Sequence, residues 1–198
     1  MDFVLRYRGP LASIGGPKDK HRIRSSIHPQ LDVLCAQEPL LKQAQSDNLH
    51  EGILKGRQVE VPRPLGDVLF FAVRLGGFRF VPLIHRPHNL ACGLDVIFLR
   101  REKPGAIVHG GDLDNRLKTL FDALRMPHDE SELAGVTPSC QDERVFCLLE
   151  DDSLITRVSV HTHQLLEPLT AGDDKSGVDL LIHVNIHSTY PMFGNLGF

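Results

Sequence analysis

Tryptophan is absent from this 198-residue sequence, and only 2 tyrosines accompany its 10 phenylalanines. A platform that reads single-stranded nucleic acid by stacking bases on aromatic rings needs more than this. Long hydrophobic runs are missing too: "DVLFFAV" and "LDVIFL" have strand length, far short of the roughly 20 apolar residues of a membrane-crossing helix. The opening "MDFVLRYRG" meets charge at once and lacks the basic, apolar, small-residue order of a secretory leader. A cytoplasmic location with no membrane attachment is therefore expected. The 4 cysteines, Cys35, Cys92, Cys140 and Cys147, form no CxxC pair and keep no regular spacing to histidine. That pattern argues against a zinc knuckle and for free thiols in a reducing compartment. With no repeats, low-complexity tracts or domain linker, residues 1–198 are expected to fold as one domain around a sizeable core.

What is present is an uneven distribution of charge. Residues 1–111 carry 16 Lys and Arg against 10 Asp and Glu, a balance of +6, whereas residues 112–198 carry 6 against 15, a balance of −9. A basic half suits phosphates and an acidic half suits cations, the division expected of a metal-dependent enzyme acting on nucleic acid. Mutual salt bridging between the halves explains the same numbers equally well. Four of the 11 histidines fall in pairs on strand-like segments, His161 with His163 and His183 with His187. Strand-surface histidines are common, and neither pair meets the acidic motif in sequence.

The pattern along the chain predicts a mixed α/β fold, a mixed sheet covered by helices. "MDFVLRYRG" reads as a first strand, and the Gly-, Pro- and Ser-containing segment after it as a basic loop or helix lead-in. Pro29 suits the first turn of a helix through "QLDVLCAQEPLLKQAQ", which Pro39 should kink or split. "DVLFFAVRLGGFRFVPLIH" reads as two strands joined at Gly76-Gly77, with Pro82 at an edge or bulge. "GLDVIFLRR", "RVFCLL", "SLITRVSVHTHQLL" and "VDLLIHVNIH" supply further strands.

The chemistry concentrates in "GGDLDNRLKTLFDALR", Gly110 to Arg125. Leu113, Leu117, Leu120, Phe121 and Leu124 recur at helical spacing, which also lines up Asp114, Lys118 and Asp122 along another face. Asp112 and Asp114 are ordinary helix-start residues, stabilised by the helix dipole by about 0.3–1 kcal/mol. An Asp114–Lys118 surface pair would add about 0.3–0.5 kcal/mol. Capping does not account for the second acidic pair, Asp151 and Asp152 in "LLEDDSLITRV", which precedes a strand. Mg²⁺ takes carboxylate oxygens from separate elements and keeps several waters, so two or three aspartates suffice for a site. A nearby lysine adds compact positive charge for a phosphate or a phosphorane. Asp112, Asp114, Asp152 and Lys118 thus have the chemistry for metal-assisted phosphodiester hydrolysis, with Asp151 as a further candidate ligand.

"GDLDNRLKTLFDAL" followed by "LEDDSLITRV" resembles the RusA family of Holliday-junction resolvases. That family pairs a DxDN helix start, a lysine one turn on and an xDAL segment with a DD-S/A-x-V strand. The likeness covers roughly residues 95–165. It implies a RusA-like resolvase fold, Mg²⁺ dependence with Mn²⁺ as a substitute, and a homodimer acting on branched DNA. It also implies that Asp112, Asp114 and Asp152 are metal-binding catalytic carboxylates, Lys118 the essential lysine and Asp122 a structural residue. Relative to the family, the chain carries an N-terminal extension of about residues 1–50 and an acidic insert of about residues 126–150. The insert holds Asp129, Glu130, Glu132, Asp142, Glu143 and Glu150 against one arginine, Arg144, so it should fold away from DNA, act as a lid or meet a protein partner.

DNA contacts are expected from the basic half: Arg6, Arg8, Lys18, Lys20, Arg22 and Arg24, together with Arg100, Arg101 and Lys103. Backbone and shape recognition fits these residues better than base reading. The competing reading is a catalytically inactive relative that binds nucleic acid or protein. Other DxD phosphotransferases fit less well, because His109-Gly110-Gly111 separates the acids from the preceding apolar segment.

Overall fold

In a computed structural model of the chain, residues 1–38, 41, 49–54, 57–62, 71–101, 112–167 and 177–191 are described, with backbone alone for 49–54, 57–62 and Asp112. The element order is β1 (Asp2–Pro10), α1 (Pro17–Gln37), β2 (Leu49–Leu54), β3 (Arg57–Pro62), β4 (Val73–Leu75), β5 (Phe78–Ile84) and β6 (Leu90–Arg100), then α2 (Asp112–Leu124), β7 (Glu143–Leu149), β8 (Ile155–Gln164) and β9 (Gly177–Ser188). The α and β content predicted above is present, but the strands form two mixed sheets rather than one. A four-stranded sheet runs β1-β9-β6-β8, a three-stranded sheet runs β4-β5-β7, and β2-β3 is a separate hairpin that the sequence pattern did not reveal. β1 and β6 are antiparallel to β9, whereas β8 lies parallel to β6.

Alternation decides which side chains enter the core. Leu94, Val96 and Phe98 of β6 and Leu180, Ile182 and Val184 of β9 point inward and are buried. They pack with Leu5 and Tyr7 of β1 and with Ile23, Ile27, Leu31 and Cys35 of α1. The three-stranded sheet is buried on both faces. Val81, Leu83, Phe146 and Leu148 enter the main core, while Phe78, Phe80, Val145 and Cys147 form a second cluster with Phe71, Met126 and Leu133. Met126 and Leu133 come from the insert, which is therefore part of the folded body.

Two local expectations need revision. α1 begins at Pro17, twelve residues before Pro29, and Pro29 lies inside it. The inward stripe Ile23, Ile27, Leu31 and Cys35 continues across Pro29, so burial holds the helix through an exposed proline that removes one backbone donor. Pro17 takes the first-turn position, and Asp19 Oδ2 accepts from the Gly16 N–H at 3.1 Å. Glu38 caps the helix, and Pro39, expected to kink or split it, lies outside the described residues. Pro82 lies in the central strand β5, but the β4 pairing stops at Phe80, so only β7 stands beside it in the described ladders. The Gly76-Gly77 turn is as expected, with φ of 58° and 82°. Side chains there would also meet Leu133 and Pro138 of the insert.

The expected N-terminal extension is likewise built in. β1 pairs along its whole length with β9, and α1 packs on β7, α2 and β1. Among the described residues no helix is long and apolar enough to cross a membrane.

Candidate active site

α2 is amphipathic, as the spacing predicts. Leu120, Ala123 and Leu124 are buried, and Leu113 and Phe121 pack against the same core. Its flank presses on the loop before α1, where Gly15 donates to Thr119 Oγ1 at 3.2 Å; a Cβ at Gly15 would lie 2.3 Å from Thr119 Cγ2. The core side being taken, Asp114, Asn115 and Lys118 are turned to solvent. Asp114 and Lys118 form no hydrogen bond or ion pair among the described residues. The Asp112 side chain, Gly110, Gly111 and Lys103 lie outside the described residues.

α2 packs on the 3-10 turn Asp152–Leu154, whose Leu154 joins the core that receives Leu113 and Phe121. This turn separates the roles of the two adjacent aspartates. Asp151 is its N-cap: Oδ1 accepts from the Ser153 N–H at 3.0 Å, from the Ser153 hydroxyl, and from Arg86 Nη2 at 3.3 Å. Its other oxygen lies 3.3 Å from His128 Nε2. Partial desolvation works to raise the Asp151 pKa, but the Ser153 hydrogen bonds and the charges of Arg86 and His128 hold it below the ordinary carboxylate value. Both oxygens are thus engaged, and in this structure Asp151, the further candidate ligand, caps the turn. Asp152 is exposed and makes none of these contacts.

The far end of α2 is closed by charges from other elements. No glycine follows Leu124; instead Arg24 of α1 donates to the carbonyls of Arg125, at 3.1 and 3.0 Å, and Asp122, at 3.2 Å. These are the orphan acceptors of a helix C-terminus, where positive charge is favoured. Arg125 makes a bidentate pair with Glu132 of the insert, both contacts 3.0 Å, and lies 3.4 Å from Asp122. Lys20 Nζ meets the other Asp122 oxygen at 2.7 Å, in keeping with a structural Asp122.

Most acids of the insert are engaged in contacts of the fold, two of them with arginines from outside it. Asp129 caps the turn Glu130–Leu133, Glu132 holds Arg125, Asp142 lies 3.5 Å from Arg74, Glu143 accepts from the Ser139 N–H, and Glu150 accepts from the Arg86 N–H at 2.9 Å. Of its six acids, Glu130 alone is not engaged in this way.

Two of the expected DNA contacts are buried. Arg24 is 2% and Arg100 3% exposed. Arg24 shares the inward stripe of α1, and Arg100 falls on the same alternate positions of β6 as Leu94, Val96 and Phe98. Neither side chain is open to solvent in this fold. Lys20 is tied to Asp122. Arg22 reaches Asp19 at 3.0 Å and the Pro10 carbonyl at 3.2 Å, while Arg101 donates to the Glu167 carbonyl at 2.7 Å. Arg6 pairs with Asp179 at 2.6 Å, and Arg8 with Glu167. Lys18 stays exposed, with its stem beside Gly135.

The histidine pairs stand on β8 and β9, away from the core. A depression of about 450 Å³ on this sheet is lined by Asp2, Asp95, Arg157, His183 and Asn185, with Arg157 bound to Asp95 at 3.0 Å. Among the described residues no group of three or more His, Cys, Asp or Glu side chains is arranged to hold a metal. Burial pushes the thiols of Cys35, Cys92 and Cys147 up to about 12, so they are inert, and Cys140 is exposed. Arg86 and His128, which brace the Asp151 turn, have no motif that marks them in sequence; only folding brings them there. Comparison of the chain with protein-family models, curated proteins and solved structures finds no match.

Proposed function

We propose that this protein is a divalent-metal-dependent endonuclease that hydrolyses DNA phosphodiester bonds in the manner of RusA-type resolvases, acting as a homodimer on branched DNA such as four-way junctions. The observation that carries this reading is the contrast in engagement around α2. Asp114, Lys118 and Asp152 stand exposed on two packed elements, while Asp122, Asp151, Arg125 and most of the insert acids are held in structural contacts.

The donor set fits Mg²⁺ or Mn²⁺. Carboxylate oxygens on separate elements, open to solvent, suit a hard cation that keeps part of its water. Asp114 and Asp152, with Asp112, would hold the ion. When bound, it supplies Lewis-acid stabilisation of charge on a phosphoryl oxygen. Lys118 lies one turn from Asp114 on the same helix face, where its ammonium balances an incoming phosphate and the charge that grows on it during hydrolysis. Pairing of Glu132 with Arg125 and of Asp142 with Arg74 offsets part of the repulsion that the acidic insert would impose on a DNA backbone.

Labelled four-way, flap and linear DNA, incubated with Mg²⁺ and wild-type protein or Asp114→Asn, tests the reading. Cleavage by the wild type and its loss in the variant are expected. Cleavage that persists in Asp114→Asn overturns the site. One observation favours the second reading, an inactive nucleic-acid- or protein-binding module: Asp151 is withdrawn into a cap, which leaves fewer carboxylates for a metal. Absence of cleavage on every substrate decides for that module.

A further inference from the structure

We propose that Arg86 is a positioning residue, a clamp that sets where Asp152 stands; this rests on the nuclease reading above. Arg86 opens the short turn Arg86–His88 directly after β5. From there it reaches the Asp151 turn through three contacts. Its backbone N–H donates to Glu150 Oε2 at 2.9 Å, and its Nη2 donates to Ser153 Oγ at 2.7 Å and to Asp151 Oδ1 at 3.3 Å. Glu150 is fixed in turn by its own N–H on the Ile84 carbonyl at 2.8 Å, and the Leu154 N–H closes the turn on the Asp151 carbonyl at 3.2 Å. Arg86 thus grips the residues on both sides of Asp152 and leaves that carboxylate open.

The clamp is poorly suited to being a stability device. The Arg86 side chain is 49% exposed and that of Asp151 26%, and ion pairs so open to water contribute little to folding. Position is another matter, because a liganding or reacting carboxylate must be held to within about 0.5 Å by groups that touch nothing but their neighbours. A planar guanidinium that bridges a carboxylate and a hydroxyl suits that task better than a flexible ammonium.

The test is Mn²⁺ titration by calorimetry on the full chain, with thermal unfolding and steady-state cleavage kinetics, for the wild type, Arg86→Ala, Arg86→Lys and Asp152→Asn. Arg86→Ala should weaken Mn²⁺ binding by about 10-fold or more and lower kcat with KM for DNA little changed, while Tm moves by no more than about 3 °C. Arg86→Lys should restore part of the loss. Ser153→Ala, which removes the hydroxyl shared by Arg86 and Asp151, should act in the same direction and carries the test if Arg86→Ala does not fold. Unchanged Mn²⁺ affinity and kcat in Arg86→Ala, with loss in Asp152→Asn, overturn the clamp and leave the nuclease reading intact. A rise in KM alone overturns it too, making Arg86 a DNA contact. A wild type that binds no Mn²⁺ overturns the nuclease reading, and the clamp with it.

Discussion

The two ends of α2 are equally charged and differently used. At its start, Asp114 and Lys118 face solvent and are unpaired among the described residues. At its end, Asp122 and Arg125 are bound into a network with Lys20, Arg24 and Glu132 that reaches from α1 to the insert. Both ends read as charged helix surface in the sequence. The difference is that two cations of α1 and an acid of the insert converge on one end, where desolvated charges must be paired. Charges left unengaged are the better candidates for chemistry, since no contact of the fold requires them there.

Exchanging the treatment of the two ends gives the largest expected effects. Asp114→Asn should reduce cleavage by about 100-fold or more with unfolding by denaturant essentially unchanged. Arg125→Ala should do the reverse, costing about 3–5 kcal/mol in the same unfolding experiment, because Glu132 is then left half-buried without its partner. Equal loss of stability in both variants would erase the contrast.

Next in size is Arg24→Met. Its volume is nearly kept but the carbonyls of Asp122 and Arg125 lose their donor, so a destabilisation of about 1–3 kcal/mol is expected. The salt dependence of DNA binding should stay as in the wild type, because a buried arginine releases no counterions. A shallower salt slope would return Arg24 to the DNA surface.

Acid should act through the half-buried histidines of α1. Burial, helped by Arg24, lowers the pKa of His21 from its ordinary 6.5. Burial also lowers that of His28, whose Nδ1 accepts from the Phe146 N–H at 3.0 Å. Below pH 6.5 the unfolded chain takes up protons that the folded chain refuses, so stability falls with pH from there down to the folded-state values. Urea midpoints between pH 7.5 and 5 should decline, and His28→Gln should flatten the decline. A midpoint that rises on acidification would contradict the burial of these rings. The smallest effect is chemical: in native protein at neutral pH a maleimide should label Cys140 and spare the other three thiols, as mass spectrometry of digests would reveal.

Much of the fold was legible from pattern. β1, the Gly76-Gly77 hairpin, β6 to β9 and α2 lie where alternation or helical spacing put them. α1 was misread because two prolines compete for the first-turn position, and the stripe from Ile23 to Cys35 that decides for Pro17 contains a buried arginine. Arg24 and Arg100 looked like DNA contacts because local charge does not reveal which face a residue occupies. The division of the strands into two sheets was not legible either, since pairing depends on segments far apart: β1 finds β9, and β5 finds β7.

By itself the sequence determined where most of the strands and α2 form and which residue types could do metal-dependent chemistry, because periodicity and side-chain chemistry are local properties. The tertiary structure alone decided which charges are available for it. Asp151 and Asp152 are neighbours of one type, yet the first is held by Ser153, Arg86 and His128 while the second stands open. That choice belongs to groups 65 and 23 positions away, brought together by the burial of the strands and helices that carry them.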